Sequence, residues 1–324
     1  MTTRANPVLF IVGCPRSGTT LLQRLVDAHP DIAVIPELEW IPRANGGYAE
    51  PAPDEPVPAD VLRRLAAHGR FGKYTPLPFA PGQLEPFACG ERQIAWRELM
   101  TRFYEGWAQA CGKPLVATKT VDHVGRIPFL HRMWPSARFV HLIRDGRDVA
   151  LSALGWRRAD KLAARFSTWR ENPVATAALW WEWHVRLGRE AGAALPSSLY
   201  GELRYEALVA DPETAARRVC KLVGVPYAEC MLRFWEHRAP RDGGRQDAKH
   251  RWLPPTPGLR DWRAEMASDE VERFEAVAGD LLDELGYARG AQATAQQIDE
   301  AAAARRAFAQ EIVAHHRPLP AAWA

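Results

Sequence analysis

The feature that most constrains this chain is an apolar run, Pro7–Val12, that enters Gly13-Cys14-Pro15-Arg16-Ser17-Gly18-Thr19-Thr20. Beyond it Leu21, Leu22, Leu25 and Val26 recur at helical spacing, and the helix stops before Pro30. The run reads as a strand buried on both faces, as in a parallel sheet. A strand, a glycine-bounded loop and a helix in that order dictate a local geometry. Successive loop N–H groups and the positive end of the helix converge on one point, and that point suits an anion.

The loop spells G-x-x-x-x-G-T-T. Loops that hold a nucleoside triphosphate carry Lys before the final Ser or Thr. Here Thr19 takes that position, and the cation comes earlier, at Arg16. A guanidinium grips a pair of phosphate or sulfonate oxygens as a fork and needs no metal. The expectation is a phosphate-loop architecture that does not hydrolyse Mg-ATP.

Further strands alternate with helices. Pro114–Thr118 reads as a strand ending in Lys119-Thr120. Arg138–Ile143 runs into Arg144-Asp145-Gly146-Arg147-Asp148, then a helix carrying Val149, Leu151 and Ser152. A Trp-rich helix spans Ala175–Ala191, with Trp180, Trp181 and Trp183 read as buried packing, and Ser198–Tyr205 is a fourth strand. Asp211 caps a helix that has Pro212 first and Gly224 beyond its end. Val271–Leu285 is amphipathic. This alternation predicts an α/β fold: a phosphate-loop-type, mostly parallel sheet with helices on both faces.

Two regions stand apart. Residues 42–110 are rich in Pro and Gly up to about position 90, with a helix near Ala59–His68 and helical character over 91–111. They read as a substrate lid inserted in a domain spanning 1–290. Residues 291–324 form a helical extension whose apolar stripe is Ile298, Phe308, Ile312 and Val313.

The charge balance, 42 Lys+Arg against 39 Asp+Glu, excludes an acidic tail protein and a basic nucleic-acid coat. No nucleic-acid partner is expected. The apolar run at the start is too short to span a membrane and lacks a cleavage pattern, so a cytoplasmic protein is expected. Five cysteines without a C-x-x-C pair read as reduced thiols. No His/Asp/Glu set has ligand spacing, so no metal is expected.

Arg144 at a strand end, with Ser152 on the next helix, makes a second anion clamp at the sheet edge where ligands bind. Asp145, Arg147 and Asp148 read as a surface ion-pair network. Two anchors suit a nucleotide with phosphates at two separate positions.

These residues resemble the sulfotransferases that use 3′-phosphoadenosine 5′-phosphosulfate (PAPS). Pro15-Arg16-Ser17-Gly18-Thr19-Thr20-Leu21-Leu22 is similar to the family's 5′-phosphosulfate loop, and Phe139 through Ser152 to its 3′-phosphate segment. Asp27-Ala28-His29-Pro30, Glu37 and Ile41-Pro42-Arg43 are similar to the tyrosylprotein sulfotransferase branch and its bacterial relatives. Leu203-Arg204-Tyr205-Glu206-Ala207-Leu208-Val209 and Leu222-Val223-Gly224-Val225-Pro226 resemble a later strand and helix. The resemblance covers roughly residues 7–287. The Golgi enzymes' anchor has no counterpart here, which speaks against a protein-tyrosine acceptor. The cytosolic branch carries its base, a His, after Lys-Thr; here Val121 follows Lys119-Thr120, with His123 two positions later and facing the opposite way if the chain is extended. Near Asp261-Trp262, Arg260 and Arg251 are 3′-phosphate candidates by charge alone.

The resemblance implies sulfuryl transfer from PAPS to the hydroxyl of a small-molecule, lipid, sugar or carrier-bound acceptor, leaving adenosine 3′,5′-bisphosphate. Glu37 is the implied base and His123 the alternative. Arg16 and Lys119 stabilise the leaving group. Arg16, Ser17, Gly18, Thr19, Thr20, Arg144, Ser152 and Tyr205 are the implied nucleotide site. A homodimer is left open. Two rivals stand beside this reading: a phosphate-loop nucleotide or sugar kinase, and a non-catalytic nucleotide binder.

Overall fold

The structure, a computed structural model, describes residues 9–35, 37–38, 43–44, 47–48, 50–71, 75–78, 80–155, 166–236, 255, 258 and 260–323. Arg251 and the Ile41-Pro42 pair lie outside the described residues.

Nine strands and thirteen α-helices are described. β1 (Leu9–Val12) leads through the loop to α1 (Thr19–Asp27), which returns to β2 (Ile32–Ile35). The excursion that follows contains a hairpin of β3 (Arg43–Ala44) with β4 (Gly47–Tyr48), then α2 (Ala59–His68). A second hairpin pairs β5 (Arg70–Phe71) with β6 (Thr75–Pro76), before α3 (Glu85–Ala88) and α4 (Trp96–Ala110). β7 (Leu115–Lys119) enters a 3₁₀ turn, Val121–Arg126, and α5 (Ile127–Met133). β8 (Arg138–Ile143) feeds α6 (Gly146–Leu154). After α7 (Thr168–Glu171) and the long α8 (Pro173–Ala193) come β9 (Tyr200–Arg204), α9 (Tyr205–Ala210) and α10 (Pro212–Val223). The chain closes with α11 (Trp262–Glu265), α12 (Ser268–Glu284) and α13 (Ala295–Ala314).

The main sheet has the order β2-β7-β1-β8-β9, and every pair in it is parallel. Consequently the carboxyl ends of β1, β7 and β8 share one edge. The register sets Ile11 beside Lys119, two residues before the loop begins at Gly13. Alternation along β1 sends Phe10 and Val12 to one core and Leu9 and Ile11 to another. The first core takes Trp96, Phe103 and Trp107 of α4; the second takes Leu22 and Leu25 of α1 and Leu208 of α9. A third core gathers Trp181, Phe274 and Phe308 around α8, α12 and α13.

The expected α/β architecture is present, with a strand the sequence reading passed over. β2 is a four-residue run between two prolines, Pro30 and Pro36, and periodicity cannot identify so short a segment. It is held by Asp27 Oδ1, which accepts from the Val34 N–H at 2.8 Å, and by pairing with β7. The fourth strand ends one residue early, because Tyr205 opens α9. The excursion is packed as well as irregular: Leu62, Leu65, Leu84 and Phe87 join the first core. On α13 the expected stripe is half right. Phe308 and Ile312 are buried with Ala301, while Ile298 and Val313 are exposed. The helix turns both toward solvent while Ala301, Phe308 and Ile312 face inward.

Candidate functional site

Gly18 is the N-cap of α1 in the left-handed region, φ 90°. A Cβ there would run into the Tyr205 ring, so only glycine lets the loop pass this close to β9's end. Arg16 also has positive φ, 75°, a strained setting for a non-glycine residue of the kind that collects at ligand sites. Its Nε donates to Ser152 Oγ at 2.9 Å. The turn is closed by the Ser17 N–H on the Cys14 carbonyl at 3.2 Å. Ser17 and Thr19 are buried and Thr20 is half-buried; the first turn of α1 carries no acidic residue. The loop thus brings a guanidinium and three hydroxyl side chains to the N-terminus of α1, whose first turn carries no acidic residue to oppose an anion.

The second anchor sits on β8's carboxyl end. Arg144 is buried; its guanidinium lies 4.3 Å over the Tyr205 ring and donates to Asp148 Oδ2 at 3.3 Å. Tyr205 thus touches both anchors, Gly18 on one side and Arg144 on the other. Its phenol is pushed up mainly by burial, so it stays protonated. Ser152, expected to share a phosphate with Arg144, has Arg16 as its partner, one turn along α6 from Asp148. The two anchors therefore meet through Ser152 as well as through Tyr205.

The ion-pair network beside Arg144 is buried, which corrects its reading as a surface feature. Arg147 is fully buried and forks onto Asp145, at 3.0 and 2.8 Å, and reaches Glu275 at 2.6 Å. Trp262 Nε1 donates to Asp145 Oδ2 at 3.1 Å, and the Trp262 ring faces Arg147 at 3.7 Å. Burial, largest of several effects, raises the Asp148 carboxyl, and Asp148 accepts the Trp262 N–H at 3.0 Å. Trp181 is core, as its neighbours suggest, and its Nε1 also donates to the Arg144 carbonyl at 3.1 Å. The sequence reading found the anchors but not these supports, since nothing local in the chain links Trp181, Trp262 or Glu275 to residues 144–148. Arg260 pairs with Glu265 at 3.2 Å.

On the other side of β1, Lys119 ends β7 almost completely buried, and its Nζ meets Glu37 Oε1 at 2.9 Å. Glu37 itself is 54% exposed, open to an incoming molecule. These two implied catalytic residues, 82 positions apart, are brought into contact by the β2–β7 pairing. Thr120, which the sequence reading gave no role, accepts the Leu38 N–H on Oγ1 at 3.0 Å.

His123 is not on extended chain but inside the 3₁₀ turn, packed at 5.8 Å from the Phe10 ring and buried. Burial pulls its imidazole down to about 4, so it is neutral near pH 7 and walled off from solvent. Of the two base candidates, Glu37 is the one exposed to solvent.

Among the described residues, no group of His, Cys, Asp and Glu could hold a metal ion, and no helix is long and apolar enough to cross a membrane. Among the described residues, the buried Ser17 Oγ and Arg144 Nε have no hydrogen-bond partner, one on each anchor. Orphaned donors at both places fit a ligand that carries two anionic groups.

Known proteins resemble this chain in sequence and in fold. The profile of the sulfotransferase family matches residues 7–229. Protein-tyrosine sulfotransferase 1 of Danio rerio is 25% identical over 288 residues, covering 87% of this chain and 72% of its own. Nodulation protein NoeE of Sinorhizobium fredii (strain NBRC 101917 / NGR234) is 27% identical over 300 residues, covering 88% and 67%. Among solved structures, the sulfotransferase domain from the Synechococcus PCC 7002 olefin synthase superposes with a TM-score of 0.59 at 21% identity, covering 88% of this chain and 96% of that one. The fold is shared, and the profile spans most of the chain, including β1, the loop, Lys119 and the Arg144 segment. The chain belongs to the sulfotransferase family, enzymes that move a sulfuryl group onto an acceptor.

Proposed function

We propose that the donor is PAPS, that Glu37 is the base, and that the acceptor presents a hydroxyl on a small molecule, lipid, sugar or carrier-bound chain. The observation that carries the donor is the pair of anion anchors tied together by Tyr205 and Ser152, in a loop with Thr19 where a triphosphate site needs Lys. Arg16, Ser17, Gly18, Thr19 and Thr20 would hold the 5′-phosphosulfate. Arg144 would hold the 3′-phosphate, with Ser152 and Tyr205 joining the two ends. No metal is needed, because Arg16 and the N–H groups supply the positive field.

The acceptor oxygen forms a bond to sulfur as the bond from sulfur to the 5′-phosphate oxygen breaks. Glu37 takes the acceptor proton as attack proceeds. Lys119 and Arg16 hold the charge that grows on the departing phosphate oxygen. The 2.9 Å contact holds Glu37 aimed while no acceptor is bound. Residues 1–290 would form the transferase domain, with 42–110 bordering the acceptor and 291–324 docked behind it. The five cysteines are all free, which supports a reducing, cytoplasmic setting. Thr19 in place of Lys weighs against a kinase, and the Lys119–Glu37 pair against a non-catalytic binder.

Calorimetry tests the donor. Adenosine 3′,5′-bisphosphate should bind far more tightly than ATP, without magnesium. Equal affinities, or a strict magnesium requirement, would overturn the assignment.

A further inference from the structure

We infer that Thr120 is a positioning residue that sets Glu37 opposite Lys119, an inference that rests on reading Glu37 as the base. Glu37 follows β2 outside any regular element, and half its side chain faces solvent. A carboxylate so placed has rotamer freedom to lose, yet a base must meet its proton within a narrow range of distance and angle. Something must hold its main chain.

The holding contact is at the next residue. Leu38 is buried, its N–H donates to Thr120 Oγ1 at 3.0 Å, and the same hydroxyl lies 3.5 Å from the Leu38 carbonyl as its donor contact. Thr120 in turn directly follows Lys119. Four residues therefore close a small ring: Lys119 to Thr120 along the chain, Thr120 to Leu38 by the hydroxyl, Leu38 to Glu37 along the chain, and Glu37 to Lys119 by the 2.9 Å ion pair. One side chain ties the base to the strand end that carries the cation. Farther along, Glu50 accepts from Arg126 at 2.6 Å and from Arg132 at 3.1 Å, so position 50 is tied to the stretch after Thr120.

Packing alone does not call for a hydroxyl at this place. Thr120 is buried, and valine would fill nearly the same volume while leaving the Leu38 N–H with no acceptor. The hydroxyl gives direction, and direction is what a base needs.

The test compares Thr120→Val, Thr120→Ser and Glu37→Gln in the full chain. Release of adenosine 3′,5′-bisphosphate from PAPS is followed with p-cresol and p-nitrophenol as acceptor probes, and crystal structures of the variants are compared. Thr120→Val should lower kcat on p-cresol by roughly 10- to 100-fold, the scale of a misplaced reacting group, while the KM for PAPS holds. Thr120→Ser should restore most of it. In a Glu37→Gln background, Thr120→Val should add about twofold or less, because the group it aims is gone. In the Thr120→Val crystal the Lys119–Glu37 separation should open past about 4 Å, the limit of an ion pair; this reads the ring even if neither phenol is turned over. An unchanged separation, or an equal further loss in the Glu37→Gln background, overturns the inference. Full activity of Glu37→Gln with an opened separation in Thr120→Val refutes the base and leaves the ring; a slow Glu37→Gln with a fast Thr120→Val refutes the ring and leaves the base.

Discussion

Lys119 Nζ lies 2.9 Å from Glu37 Oε1, the lysine almost wholly buried and the carboxylate half in solvent. The pair spans 82 residues of sequence and one strand pairing in space. In the proposed mechanism a buried cation beside an open carboxylate would divide the work: the lysine would face the charge that leaves, and the glutamate the hydroxyl that arrives.

Lys119→Met should therefore act on turnover. Removing one preorganised donor to developing charge costs about 10²–10³ in kcat. The affinity for adenosine 3′,5′-bisphosphate should change far less, because Arg16, Arg144 and the loop remain. Single-turnover kinetics beside calorimetry would separate the two; a collapse of affinity with unchanged turnover of bound donor would contradict the role.

Arg144→Ala should discriminate between nucleotides. Adenosine 3′,5′-bisphosphate should lose roughly 1.5–3 kcal/mol of binding, a charge-assisted hydrogen bond's worth, while 5′-AMP hardly changes. Titration of both ligands decides it. If both weaken alike, Arg144 is a support for Tyr205 and not a phosphate ligand.

Much of this site was legible in the chain. Gly13 to Gly18 lie between a strand and a helix, and Arg144 directly follows a strand, so local spacing points to both candidate anchors. The rest depends on contacts between distant residues. Ser152's bond to Arg16 spans 136 positions, Trp262's bond to Asp145 spans 117, and the Glu275 carboxylate reaches Arg147 across 128. No periodicity encodes such pairings. β2 was missed for the opposite reason, being too short for its period to show. Asp211 and Gly224, by contrast, announced both ends of α10: Asp211 Oδ1 accepts the Thr214 N–H at 3.0 Å, and Gly224 has φ 78°.

Arg147→Ala should damage stability more than chemistry. It would strand Asp145 and Glu275 as buried carboxylates, and breaking a buried pair from one side costs about 3–5 kcal/mol. Urea denaturation should show that loss. A variant within about 1 kcal/mol of the parent would mean the cluster is more solvated than its burial implies.

The protein should lose stability on mild acidification. Burial, the largest effect at each, pulls His123 and His184 down to about 4 and His141 to about 3. The unfolded chain binds these protons near pH 6.5 and the folded chain does not, so stability is full above about 6.5 and falls as pH drops toward 4. Each histidine contributes about 1.4 kcal/mol per pH unit within that window. Thermal melts from about pH 7.5 to about pH 5 should show a falling Tm. A flat Tm across that range would mean these imidazoles gain partners or water when protonated.

The proposed chemistry depends most directly on Glu37. Glu37→Gln keeps the shape and removes the proton acceptor. With PAPS as donor, turnover on a high-pKa acceptor such as p-cresol should drop by about 10²–10⁴, the range of general-base catalysis. Adenosine 3′,5′-bisphosphate affinity should hold, and p-nitrophenol, which sheds its proton unaided, should suffer much less. Near-normal turnover of p-cresol by Glu37→Gln, with loss of activity in His123→Ala, would contradict the account and move the base to His123.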